Sequence, residues 1–80
     1  MSANAVEVDV VLTAIDDLLV LLDQAEDNPA CAAGLAFFDS VRNGAEGIKG
    51  TVTDKGFATK KQLKAVENWT SGVSKWTASR

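Results

Sequence analysis

Apolar residues along the chain recur with helical spacing in three stretches. In the first, Val8, Val11, Leu12, Ile15, Leu18, Leu19 and Leu22 follow one another every three or four residues. That is the spacing of a helix with a core-facing side, and it predicts a helix over about 5–26. Val10, Val20 and Leu21 lie off the stripe, so the helix is apolar around more than half its circumference. Such a helix either sits centrally or offers surface to a partner. A competing pattern overlaps its start. Val6-Glu7-Val8-Asp9-Val10 alternates with period two, as a half-buried strand does, and Ile48 to Thr53 is the segment that would pair with it. An isolated two-stranded pair is marginal in water, so the helix is the expectation, capped by Ser2 or Asn4.

The second stripe is Cys31, Leu35, Phe38, Val41, Ala45 and Ile48. Asn28-Pro29 marks its start, with Asn as cap and Pro in the first turn. The periodicity runs through Gly44 and Gly47, where a break or kink at Gly44 is the alternative. A helix over 29–49 follows, ending at Gly50. Thr51 to Ala58 reads as a connector around the turn signal Asp54-Lys55-Gly56, with Val52 and Phe57 tucked beneath it. Gly34, with Ala30 and Ala33, makes a small-residue patch where another helix, at Gly72, is expected to come close.

The third stripe opens with Thr59-Lys60-Lys61-Gln62, a capping box in which hydroxyl and amide side chains satisfy each other's backbone N–H groups. Leu63, Val66, Trp69, Val73 and Trp76 then share one face of a helix over 59–77. The two tryptophans lie roughly 10 Å apart along it. The chain is thus expected to be all-α, a three-helix bundle and one domain over 1–80. Its expected core is Leu12, Ile15, Leu19, Leu22, Leu35, Phe38, Val41, Ile48, Leu63, Val66, Trp69 and Val73.

Charge changes the picture more than composition does. Residues 1–40 carry Glu7, Asp9, Asp16, Asp17, Asp23, Glu26, Asp27 and Asp39 without a Lys or Arg, a charge of −8. Residues 41–80 carry all eight basic residues against Glu46, Asp54 and Glu67, a charge of +5, leaving −3 for the whole. Acidic and basic helices of one bundle complement each other in the simplest reading. The sharper one is a charged docking surface. Asp9, Asp16, Asp23 and Asp27 line one face of the first helix with Thr13 and Val20, and Asp17 adjoins them. Lys60, Lys61, Lys64 and Lys75 stripe the third.

Candidate chemistry is sparse. The chain has no His and no Tyr, and its one cysteine, Cys31, has no partner for an internal disulfide. No nucleophile–base pair, no Cys/His metal spacing and no phosphate-binding glycine loop is present. We therefore expect no enzyme activity, no metal and no cofactor. Val10 to Leu22 is too short and too charged to span a bilayer or serve as a signal peptide, and a cytoplasmic protein without a membrane partner is expected.

Thr59-Lys60-Lys61-Gln62, Ala65-Val66-Glu67-Asn68 and the closing Gly72-Val73-Ser74-Lys75-Trp76 resemble the tail of short helical accessory proteins encoded by phages and mobile elements. The resemblance covers about a quarter of the chain. It implies a small inhibitor, anti-CRISPR-like, acting on a host nucleoprotein complex. Together these features lead to a non-enzymatic binding protein whose acidic face (Asp9, Asp16, Asp17, Asp23, Asp27) occupies a basic partner site, a DNA mimic in the strongest form. The alternative is a nucleic-acid-binding regulator using Lys60, Lys61, Lys64 and Lys75. A third reading is a homodimer formed through the wide apolar first helix.

Overall fold

In the computed structural model, which describes residues 5–78, the three stripes become three helices packed on one another in an all-α bundle. They are α1 (Val8–Asp27), α2 (Leu35–Lys55) and α3 (Lys60–Ala78). A 3₁₀ turn, Pro29–Gly34, leads into α2. Two short strands, β1 (Ala5–Val6) and β2 (Ala58–Thr59), pair antiparallel with Val6 opposite Ala58. Of the opening valines only Val6 is laddered, and its partner is the segment before α3, not Ile48 to Thr53. The caps expected at Ser2 or Asn4 lie outside the described residues.

Helix α1 is the central element. It packs along both neighbours, whereas α2 and α3 meet each other far less. Its fully buried face is Val11, Ile15, Leu18, Leu22 and Ala25. Leu12 and Leu19, expected at the centre of the core, are half-buried at its edge instead. The reason is that α1 faces two helices at once, which rotates its most enclosed line to one that bisects them. Ile48, Leu63 and Trp69 are likewise half-buried and packed against the core, while Phe38, Val41, Val66 and Val73 are fully enclosed as expected.

Leu35 is a clear correction, being 44% exposed. The segment before it is 3₁₀, with the Cys31 N–H donating to the Asn28 carbonyl at 2.9 Å. Three residues per turn put Cys31 and Gly34, not Cys31 and Leu35, on one face. From Gly34 onward the α-helical period takes over and buries Phe38, Val41, Ala45 and Val52. The expected second helix of 29–49 is therefore a 3₁₀ turn followed by a helix of the same 21-residue length, shifted six residues along the chain.

That helix passes Gly44, Gly47 and Gly50 without interruption and stops at Gly56, not at Gly50. Gly56 has φ 76°, a left-handed cap conformation, and its N–H reaches the Val52 carbonyl at 2.9 Å. Glycine adopts this conformation without a Cβ clash. Much of the expected connector is thus helical. Val52 is buried under it, but Phe57 is 54% exposed. The capping box of α3 is present in both directions. The Thr59 N–H donates to Gln62 Oε1 at 2.9 Å, and the Gln62 N–H donates to Thr59 Oγ1 at 3.2 Å.

The small-residue positions receive rings, not backbone. A Cβ on Gly34 would lie 3.0 Å from both Phe38 Cζ and Trp76 Cε2, one on Gly72 3.0 Å from Phe37 Cζ, and one on Gly44 2.6 Å from Trp69 Cη2. Rings of α3 thus sit over Gly44 of α2 and Gly34 just before it, and Phe37 of α2 sits over Gly72 of α3. Gly47 and Gly50 differ, since an added Cβ would meet nothing within 4 Å. Mid-helix glycine costs about 0.8–1 kcal/mol relative to alanine. Gly47→Ala and Gly50→Ala are each expected to raise stability by about 0.5–1 kcal/mol, or roughly 4–8 °C per kcal/mol in a domain of this size. A thermal melt of each variant checks this, and a lowered midpoint would mean that α2 is interrupted there.

Candidate protein-docking face

Helix α1 is buried on one side and charged on the other, and the five aspartates singled out by sequence are all exposed. They do not act alike. Lys49 Nζ lies 3.5 Å from Asp16 Oδ1, and one Arg42 nitrogen donates to Asp23 Oδ1 at 2.9 Å and to Glu26 Oε1 at 2.6 Å. Asp16 and Asp23 stand two turns apart on α1, as Arg42 and Lys49 do on antiparallel α2. The pairs therefore form two rungs of a ladder between the helices. The hydrogen bond that Arg42 donates to Asp23, aided by the one to Glu26, raises the Arg42 pKa despite partial burial of the guanidinium. A base whose folded pKa is raised contributes its stability below the unfolded value. The ladder's main cation is therefore fully charged at neutral pH.

Part of the acidic face is thus matched by basic residues of α2, as complementary helices of one bundle would be. Exposed ion pairs contribute only about 0–1 kcal/mol each, but they turn Asp16 and Asp23 toward α2. Asp9, Asp17 and Asp27 form no ion pair among the described residues. On the outward side Val20 is 57% exposed, the most exposed large apolar residue described. Asp16, Asp17, Asp23 and Gln24 lie one turn to either side of it, which surrounds an apolar centre with polar and acidic groups.

Asp17 borders a second feature. Between α1 and α3 runs an open cleft of about 340 Å³, lined by Ala14, Asp17, Glu67, Thr70 and Ser71. Ala14 and Asp17 are three apart on α1, and Glu67, Thr70 and Ser71 are three and four apart on α3, so each set shares one face of its helix. The β1–β2 pair brings the starts of α1 and α3 together, and Cys31, just after α1, meets Trp76 near the end of α3, so the two helices run parallel. Sequence pattern had drawn attention to Asp17 but not to Glu67, Thr70 or Ser71. Their spacing was legible, yet nothing in one helix's pattern says which helix it will lie beside.

Lys60, Lys61 and Lys64 are exposed on α3 and make no ion pair among the described residues. Lys75, also exposed, shares the face carrying Lys61 and Lys64, away from the buried Val66 and Val73. The acidic and basic stripes thus lie on different helices, α1 and α3.

No group of three or more carboxylates or thiols is placed to hold a metal ion among the described residues. The Cys31 thiol is buried and directed at the Trp76 carbonyl, 3.6 Å away. No described helix is long and apolar enough to cross a membrane. Comparison with protein-family models, with curated proteins and with solved structures finds no match to this chain.

Proposed function

We propose that this chain is a small non-enzymatic binding protein that docks the outward face of α1 on a basic surface of a protein partner. The observation that carries the reading is Val20, exposed at the middle of a helix and bordered by Asp16, Asp17 and Asp23, with Asp9 and Asp27 nearer its ends. An apolar centre with a polar rim is the usual anatomy of a protein interface. Acidic groups around it steer the approach of a basic partner and reject acidic ones.

Charge density argues against a close imitation of duplex DNA. Asp9, Asp16, Asp17, Asp23, Glu26 and Asp27 give one carboxylate per roughly 5 Å of helix axis, and Arg42 and Lys49 offset part of that. Duplex DNA carries a charge about every 1.7 Å. The face is better suited to one basic groove than to a whole nucleic-acid channel. A nucleic-acid-binding site on a host nucleoprotein complex has such a groove. Inhibition by occupying it is consistent with the likeness of the last helix to phage and mobile-element accessory proteins.

The alternative, nucleic-acid binding through Lys60, Lys61, Lys64 and Lys75, is favoured by their exposure on α3. Four lysines limit the phosphate contacts, so affinity would fall with roughly the third to fourth power of salt concentration.

Capture from a native-host lysate separates the two. The first bait carries Asp9→Lys, Val20→Ser and Asp27→Lys, leaving the Asp16 and Asp23 ion pairs intact. The second carries Lys60→Glu, Lys61→Glu and Lys64→Glu. A basic protein retained by wild type and by the second bait, and lost by the first, is the expected result. Its retention by the first bait would overturn the acidic-face reading. Both baits should melt close to wild type, because exposed substitutions typically change stability by about 0.5 kcal/mol or less.

A further inference from the structure

We infer that residues 47–57 form a strap that swings off the first half of α1 while the rest of the bundle stays folded. Both ends of the strap are held. Before it, Ala45 is fully buried; after it, Ala58 is fully buried and paired with Val6, and Thr59 belongs to the capping box. Between these anchors Val52 is enclosed and Ile48 half-buried, and every other residue is exposed. A segment with so few buried apolar groups opens for a small fraction of the free energy that unfolds the whole domain.

Its backbone is also poorly suited to the helix it forms. The Trp69 ring seated over Gly44 accounts for that glycine, but Gly47 and Gly50 face open space, so no packing offsets their cost in a helix. Thr51, Val52, Thr53 and Asp54 follow, all weaker helix formers than Ala, Leu or Lys. The Thr51 hydroxyl donates back to the Gly47 carbonyl at 3.0 Å, the kind of bond that weakens and bends a helix. Gly47 at one end and Gly56, already at φ 76°, at the other supply the backbone freedom that a hinge uses.

What the strap covers follows from the ion-pair ladder. Asp23 pairs with Arg42 and Asp16 with Lys49, so in the same antiparallel register Val52 stands level with Thr13, between Val11 and Ile15. Opening withdraws Val52 from the core, uncovers the buried Val11 beside it and separates Lys49 from Asp16. The closed strap is therefore an intramolecular cover on the first half of α1, and it keeps Asp16 paired with a cation of its own chain.

Native-state hydrogen exchange on the full 80-residue chain, ¹⁵N-labelled, tests the opening. The amides of Thr51 to Gly56 are expected to be protected, but at least about 100-fold less than those of Ile15, Leu18 and Leu22. Their exchange should barely respond to low urea, because opening the strap exposes little surface. Gly50→Ala should slow it about fivefold. Phe38→Leu, which weakens the core, should lower protection of the α1 amides by up to about tenfold and leave the strap amides as they are. Strap amides as protected as those of α1, or falling in step with them under urea or in Phe38→Leu, would overturn the inference, since the segment would then open only with the whole domain. Strap amides with no protection at all would also overturn it, because there would be no closed form to leave.

Discussion

Phe38→Ala is expected to lower the unfolding free energy by about 3–5 kcal/mol, the range for emptying a buried aromatic site. Phe38 is the largest fully buried side chain described. Its ring meets Trp76 edge-on at 5.9 Å and Phe37 in a tilted arrangement at 6.0 Å. Such pairs contribute about 0.5–1.5 kcal/mol beyond burial. Small domains have only about 5–15 kcal/mol in total, so the variant should be partly unfolded at 37 °C. Urea titration followed by tryptophan fluorescence would show the midpoint falling steeply. Phe38→Leu, which keeps most of the volume, should cost less than about 1.5 kcal/mol. Equal losses from both variants would mean that the ring is not packed as described.

Gly44→Ala should be destabilising by about 1–3 kcal/mol, although the same change in an open helix is favourable by about 1 kcal/mol. The new Cβ would stand 2.6 Å from Trp69 Cη2 and 2.9 Å from Cζ2, closer than carbon atoms pack. A tryptophan ring is rigid, so the ring must leave its seat or α3 must move away from α2. With the ring cut back by Trp69→Leu, Gly44→Ala should change sign and stabilise. The thermodynamic cycle over the four proteins is expected to show coupling of about 0.5–3 kcal/mol, as for residues in direct contact. Strict additivity would dissolve the proposed ring-over-glycine contact. Trp69→Ala itself removes less than full burial implies, since Trp69 is only half-buried.

Three features of the bundle were legible before any coordinates. Alternation of three and four between apolar residues located all three helices, because one-sided burial leaves that period in any amphipathic helix. The Thr59–Gln62 box was legible because capping is a local hydrogen-bond exchange. Cys31 belongs to the second apolar stripe, and it is buried. The misses share a different origin. Leu35 was misplaced because a 3₁₀ turn and an α-helix differ by about half a residue per turn, which pattern alone does not resolve in a segment as short as Pro29–Gly34. Gly50 was taken as a helix end because glycine marks both true stops and tolerated interruptions, and only Gly56 has the left-handed conformation that separates them.

The candidate site was legible as a stripe but not as an arrangement. Asp16 and Asp23 on α1, and Arg42 and Lys49 on α2, each have a seven-residue spacing, so the ladder was written in the chain. Recognising it required knowing that the two helices lie antiparallel in that register. The α1–α3 cleft was further from reach. Glu67 reads as an ordinary exposed glutamate until parallel packing places it on the same cleft as Asp17.

That parallel packing also governs the order of assembly. The central helix has its most extensive contacts with α3, which is made after α2, and β1 joins β2 across more than fifty intervening residues. Closing so long a loop costs entropy that grows only slowly with length, but it must be met before these contacts form. An emerging polypeptide that has completed only its first two helices still leaves one flank of Leu18 and Ile15 wet, vulnerable to aggregation or to chaperones. Arrival of α3 is then the event that turns a sticky hairpin into a closed three-helix bundle.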